Sequence, residues 1–393
     1  MKKLFVAVMG CCMACCLYAQ PDMKSLIEDN LRFAEKQYAY MASLLPKDSM
    51  PKTFSPKTQK LVSSDIQWWC SGFYAGSLWY IYEYTGNQNI RQEAERALQI
   101  IEPNRHYTGN HDLGFMMYCS YGNAYRITNN PAYKPILLDA AAALTTRYRP
   151  SIKAIQSWDS GKSFKCPVIV DNMMNLELLE WASLNGGGAT FSNIAITHAN
   201  TTLANHFRPD YSAYHVLDYN LATGQVSRKT TAQGAADSSA WARGQGWALY
   251  GYTMMYRFTK DERYLNLARN LAGFILNNPN LPQDKVPYWD FDAPGIPDAL
   301  RDASAASLFA SALLELSTFV NGAEKKQFVS SAETMLRTLS SGAYRAEAGT
   351  NGGFLLMHSV GALPYNSEVD VPLTYADYYF LEALLRYKKW YLD

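Results

Sequence analysis

"MYRFTKDERYLNLARNLAGFI", residues 255–275, joins an aromatic helical pattern to a second, amphipathic one through a threonine and a short polar turn. The same grammar recurs in "IYEYTGNQNIRQEAERAL" (81–98) and "AYRITNNPAYKPILLDAAAAL" (124–144), so Thr85, Thr128 and Thr259 mark three copies of one degenerate repeat. Looser versions lie at "EWASLNGGGATFSNIAITHA" (180–199) and "LSTFVNGAEKKQFVSSAETML" (316–336), and "TYADYYFLEALLRYKKW" (374–390) supplies a closing helix. Helix pairs repeating in this way stack as hairpins, each burying its apolar face on its neighbours. About six pairs fit the length, which predicts an all-α (α/α)6 barrel, a closed toroid rather than an open solenoid. One interruption, "YSAYHVLDYNLATGQVSRKTT" (211–231), alternates and carries a Thr-Gly turn. It predicts a small β-hairpin insert at one end of the barrel, where loops wall a pocket.

With 393 residues, 48% hydrophobic and 18% charged, the chain can bury a large core. Lys+Arg 36 against Asp+Glu 35 leaves no basic field to draw in nucleic acid or an anionic membrane. Aromatics reach 13%, with 28 Tyr and 9 Trp, more than a core needs and suited to stacking on sugar faces. Lys2 and Lys3 followed by "LFVAVMGCCMACCLYA" read as an export signal over residues 1–19, with cleavage after Ala19 and one domain over 20–393. "VMGC" offers the alternative of lipid attachment at Cys11. Losing the signal removes two lysines and no acid, leaving 34 basic residues against 35 acidic. Cys70, Cys119 and Cys166 then remain, an odd, scattered set that supports neither a disulfide framework nor a zinc site. No later stretch is apolar enough to cross a bilayer, so a soluble periplasmic or secreted protein is expected. HExxH, Gly-rich phosphate loops, paired CxxC and GxSxG are all absent, and neither a metal nor a cofactor is expected.

Two acids stand before helical patterns: Asp112 in "HDLGFMMY" and Asp171 in "KCPVIVDNMMNLELLEWAS" (165–183). Asp is a favoured N-cap, and capping is the ordinary explanation of both. Against it, each acid has large apolar neighbours and little other charge beside it, the setting in which desolvation raises a carboxyl pKa toward general-acid use. In "AQGAADSSAWARGQGWALYGY", Arg243 lies between Trp241 and Trp247, four residues from the latter and so on one helix face with it. A guanidinium between aromatic walls suits a carboxylate ligand, by charge-assisted and often bidentate bonds. For Gln233 and His215 the alternative is a satisfied polar residue, and for Trp69 in "WWCSGFYAGSLW" it is ordinary packing.

Taken in order, "WWCSGF", "HDLGFMMYCSYG", "VIVDNMMNLELLEWAS", "SAYHVLDYNLATG", "QGAADSSAWARGQGWALYGY" and "EVDVPLTYADYYFLEALLRY" resemble glycoside hydrolase family 88, the unsaturated glucuronyl hydrolases, across nearly the whole mature chain. The resemblance implies an (α/α)6 barrel acting on the 4,5-unsaturated uronic acid that polysaccharide lyases leave at the non-reducing end of an oligosaccharide. It makes Asp171 the main acid/base and Asp112 its partner. It places Trp69, His215, Gln233, Trp241, Arg243 and Trp247 around the sugar, with His111 a further candidate beside Asp112. It also implies hydration of a vinyl ether: protonation at C4, attack of water at C5, and opening of the hemiketal with loss of the neighbouring sugar. Rival readings are an unsaturated rhamnogalacturonyl hydrolase on pectin fragments, an (α/α)6 sugar epimerase needing paired histidines, and a sugar-binding protein without catalysis. Glycosaminoglycan, gellan and ulvan fragments all end in such a uronide, and between Arg345 and Arg386 the chain carries no Lys or Arg to read a sulfate.

Overall fold

The structure is a computed structural model that describes residues 22–393. The export-signal and Cys11 readings lie outside those residues. The three repeat threonines act alike. Thr259 Oγ1 donates to Met255 O at 2.7 Å and accepts from Asp261 N–H at 3.2 Å. Thr85 bonds Ile81 O and Asn87 N–H in the same way, and Thr128 bonds Ala124 O and Asn130 N–H. The next residue, Gly86, Asn129 or Lys260, is left-handed at φ 67°, 52° or 58° and stops the helix. The Asn or Asp after it accepts a backbone N–H two residues on, which leads into the following helix.

Six inner helices are connected by these and similar turns to six outer ones. The inner set is α2 (Ser71–Thr85), α4 (π-helical over Gly114–Gly122, then α-helical over Asn123–Thr128), α6 (Asn172–Ala182), α8 (Ala242–Thr259), α10 (Ala303–Leu316) and α12 (Thr374–Tyr387). Each packs on the next and α12 packs back on α2, so the ring closes. Outside it lie α1 (Met23–Leu44), α3 (Gln88–Ile101), α5 (Tyr133–Thr145), α7 (Ala189–Asn205), α9 (Glu262–Asn277) and α11 (Gly322–Leu339). The fold is thus the (α/α)6 barrel that the repeats predict. Burial follows position: every residue of α10 is buried, whereas α3 buries one stripe, Ile90, Ala94, Ala97, Leu98 and Ile101. Gly72 lets α2 approach α4 closely, since a Cβ there would stand 2.2 Å from Met116 O.

The predicted hairpin exists as β6 (Val216–Tyr219) and β7 (Val226–Thr230), but β6 also pairs with β5 (Pro167–Ile169) in a three-stranded sheet. Three further hairpins pair β1 (Met50–Ser55) with β2 (Lys60–Ser64), β3 (Tyr148–Arg149) with β4 (Ala154–Ile155), and β8 (Ser359–Ala362) with β9 (Ser367–Val371). Their strands are two to six residues long, and β5 is buried throughout, so alternation had little to reveal. Among the described residues no helix is long and apolar enough to cross a membrane.

Candidate active site

The β5–β6–β7 sheet assembles the site because antiparallel pairing brings three chain segments to one edge. Asp171 follows β5, His215 precedes β6, and Gln233 follows β7. Val170 N–H donates to His215 O at 3.0 Å, fixing the register beside Asp171. His215 Nδ1 accepts from the Ala232 and Gln233 N–H groups at 3.1 and 3.2 Å, which assigns the ring proton to Nε2. That Nε2 lies 3.7 Å from Asp171 Oδ2. Burial, reinforced by the charge of Arg243, pushes His215 down to about 3, so it stays neutral.

Neither acid caps its helix. Asp171 has helical backbone angles and its carboxylate takes no N-terminal N–H of α6; Oδ2 has no hydrogen-bond partner among the described residues. At the start of α4 the Phe115 N–H that Asp112 would cap is bonded instead by Asn175 Oδ1 of α6, at 3.0 Å. Both carboxyls are pushed up to about 7, chiefly by burial. Arg147 and the Asn175 amide pull Asp112 back, Arg243 pulls Asp171 back, and the charge of Asp112 raises Asp171 further. His111 Nε2 lies 3.3 Å from Asp112 Oδ1, and burial pushes that histidine down to about 3 as well.

Beside His215 opens a cavity of about 630 Å³ whose wall includes Trp69, Trp158, Phe164, His215, Gln233 and Tyr375; neither Asp112 nor Asp171 lines it, and Asp171 is joined to it through His215. Trp241 is buried behind the wall, with its ring centroid 4.5 Å from that of His215. Trp247 is not at the cavity: it is fully buried, packed between Phe115 and Tyr379. Arg243 also departs from the expectation of a free carboxylate-binding fork. It is 1% exposed, and its terminal nitrogens donate to Asp302 at 3.0 Å and to the Val360 and Gly361 carbonyls at 2.6 Å each. These bonds engage both terminal nitrogens and tie α8 to β8, while Nε has no hydrogen-bond partner among the described residues. Sequence reading missed Asn172 and Asn175, three apart on α6, whose amides hold neighbouring backbone: Asn175 Oδ1 accepts the Phe115 N–H and Asn172 Nδ2 donates to Ile155 O at 2.8 Å. Their signal was present in "VDNMMN". Among the described residues no group of three His, Cys, Asp or Glu side chains is placed to hold a metal ion.

Comparisons with known proteins agree with this architecture. The profile described as Glycosyl Hydrolase Family 88 matches residues 46–379. An unsaturated glucuronyl hydrolase of Formosa agariphila is 45% identical over 341 residues, 86% of this chain and 84% of its own. An unsaturated chondroitin disaccharide hydrolase of Streptococcus pyogenes is 32% identical over 356 residues, 88% and 87% of the two chains. A crystal structure of an unsaturated glucuronyl hydrolase specific for heparin superposes with a TM-score of 0.90 at 45% identity, covering 93% of this chain and 98% of that one. The chain belongs to glycosyl hydrolase family 88 and is a glycoside hydrolase.

Proposed function

We propose that the enzyme releases 4,5-unsaturated glucuronic acid from the non-reducing end of lyase-generated glycosaminoglycan oligosaccharides, by hydrating the C4–C5 double bond. The observation that carries the reading is the pair Asp112 and Asp171, two carboxyls raised to about 7 by burial and relieved of capping. Asp171 enters protonated and donates its proton to C4, which leaves oxocarbenium character at C5. The ionised Asp112 stabilises that charge, and Asp171, now a carboxylate, takes a proton from the water that adds at C5. The C5 hemiketal opens to a ketone, the ring oxygen remains on C1, and C1 expels the neighbouring sugar with the glycosidic oxygen. Neutral His215, its proton on Nε2 and that nitrogen 3.7 Å from Asp171 Oδ2, does not compete with the carboxylate as a base. Names of similar proteins support the substrate class: one is specific for heparin and others act on unsaturated chondroitin disaccharides. The amino-terminal segment, read as an export signal, would place the enzyme in the periplasm beside the lyases that make its substrate. Incubation with unsaturated disaccharides from chondroitin and heparin lyases tests the reading. Loss of the ultraviolet absorbance of the conjugated acid should track release of the amino sugar, while saturated glucuronides stay intact. Efficient cleavage of a saturated glucuronide would overturn it.

A further inference from the structure

A second cavity, of about 550 Å³, opens at the other end of the barrel, where the inner helices finish. Phe115 is the partition: it lines this cavity, while its ring centroid lies 5.4 Å from that of Trp69 on the wall of the first. Three polar groups converge here with bonding capacity to spare. Tyr379 of α12 is 1% exposed and Tyr118 of α4 is half-buried, and neither hydroxyl has a hydrogen-bond partner among the described residues. Glu177 of α6 gives Oε1 to Arg257 and keeps Oε2 unbonded among those residues. Its charge reaches both phenols, which sets the three groups around one space. The deeper acid, Glu382, is fully engaged instead, by Tyr80, Tyr250 and Ser311. At the mouth Trp390, 36% exposed, adds a flat apolar face to those of the two tyrosines.

Charge selects the class of ligand. The wall's cations are neutralised in place: Arg126 by Glu83, Arg257 by Glu177 and Glu315, Arg386 by Glu315 and Glu382, and Lys388 by Asp393, while Lys389 lies on the exposed rim. The negative ends of the inner-helix dipoles meet here. An anion would face that field and Glu177, and a cation would find the guanidiniums of Arg257 and Arg386 already in its place. An uncharged molecule with hydroxyls on a rigid frame suits both features, bonding the phenols and the carboxylate and laying its C–H face on the aromatic rings. We propose that this cavity is a second, non-catalytic saccharide site that takes an uncharged sugar. The inference stands apart from the reaction proposed above, which uses none of these side chains.

Ligand-detected NMR titration of the whole protein with N-acetylglucosamine and glucose, and with glucuronic acid as the anionic counterpart, tests it. Wild type should bind at least one of the uncharged sugars. Trp390→Ala should weaken that binding about tenfold by removing the stacking face. Tyr118→Phe should weaken it about fivefold, and because it deletes a hydroxyl without a partner in the fold it leaves folding intact. Any binding of glucuronic acid belongs to the opposite, positive end of the barrel and should be unchanged in both variants. Failure of both uncharged sugars to bind, or an affinity unaltered in either variant, would overturn the site. Glucuronic acid weakened alongside the uncharged sugar would overturn the selection by charge.

Discussion

Asp171 combines a costly environment with freedom from the ordinary duty of its position, and its removal should therefore separate stability from catalysis. Its carboxyl is raised from 3.8 to about 7, so the folded state binds a proton that the unfolded chain has already released between those values. The stability tied to that proton is complete below about pH 4 and is lost as pH rises through about 7. Asp171→Asn removes the penalty and no capping bond, so it should raise the unfolding free energy at pH 8 by roughly 1–4 kcal/mol and leave it nearly unchanged at pH 4. Turnover should fall by roughly 10²–10⁴-fold in the same variant. Thermal melts at the two pH values, set beside steady-state rates, check both halves; a variant that melts early yet stays active would restore capping as the role of Asp171. At this scale the sequence singled out Asp112 and Asp171 because their apolar neighbours are adjacent in the chain, and burial does raise both carboxyls. It did not show where Arg243 points: its acceptors, Asp302, Val360 and Gly361, are 59 to 118 residues away.

Between inner and outer helices the recurring device is a threonine that closes one helix, a left-handed residue, and an Asn or Asp that leads into the next. Because this grammar is local, it was legible as Thr85, Thr128 and Thr259 before any contact was known. The β5–β6 pairing was not legible, since β5 is three buried residues joined to a partner about 50 positions on. Thr259→Val keeps the volume and removes both the bond to Met255 O and the bond from Asp261 N–H. It should cost about 1–2 kcal/mol in chemical denaturation. Activity should be unaffected, because Thr259 closes α8 at the end away from Trp241 and Arg243. A fall in kcat at unchanged stability would show that the turn reports to the site in a way this architecture does not provide.

For the whole molecule, ring closure orients six helix dipoles alike. The inner helices begin next to Trp69, Asp112, Asp171, Trp241, Asp302 and Tyr375, so their positive ends converge on the cavity side. Arg126, Arg257 and Arg386 stand in the last turns of α4, α8 and α12, at the opposite, negative end, where they pair with Glu83, Glu177 and Glu315. An anionic uronate is thus favoured at the catalytic end even though the Arg243 fork is already engaged, and the same field suits an ionised Asp112. What the barrel does with that substrate is the central claim: the double bond is hydrated before the link to the neighbouring sugar breaks. An unsaturated glucuronide joined to its aglycone through carbon instead of oxygen isolates that step, because its C1 bond cannot be hydrolysed. Hydration predicts that the enzyme abolishes the ultraviolet absorbance of this analogue and yields a 5-keto acid with the aglycone still attached; absorbance that persists while the oxygen-linked substrate is consumed would contradict the account.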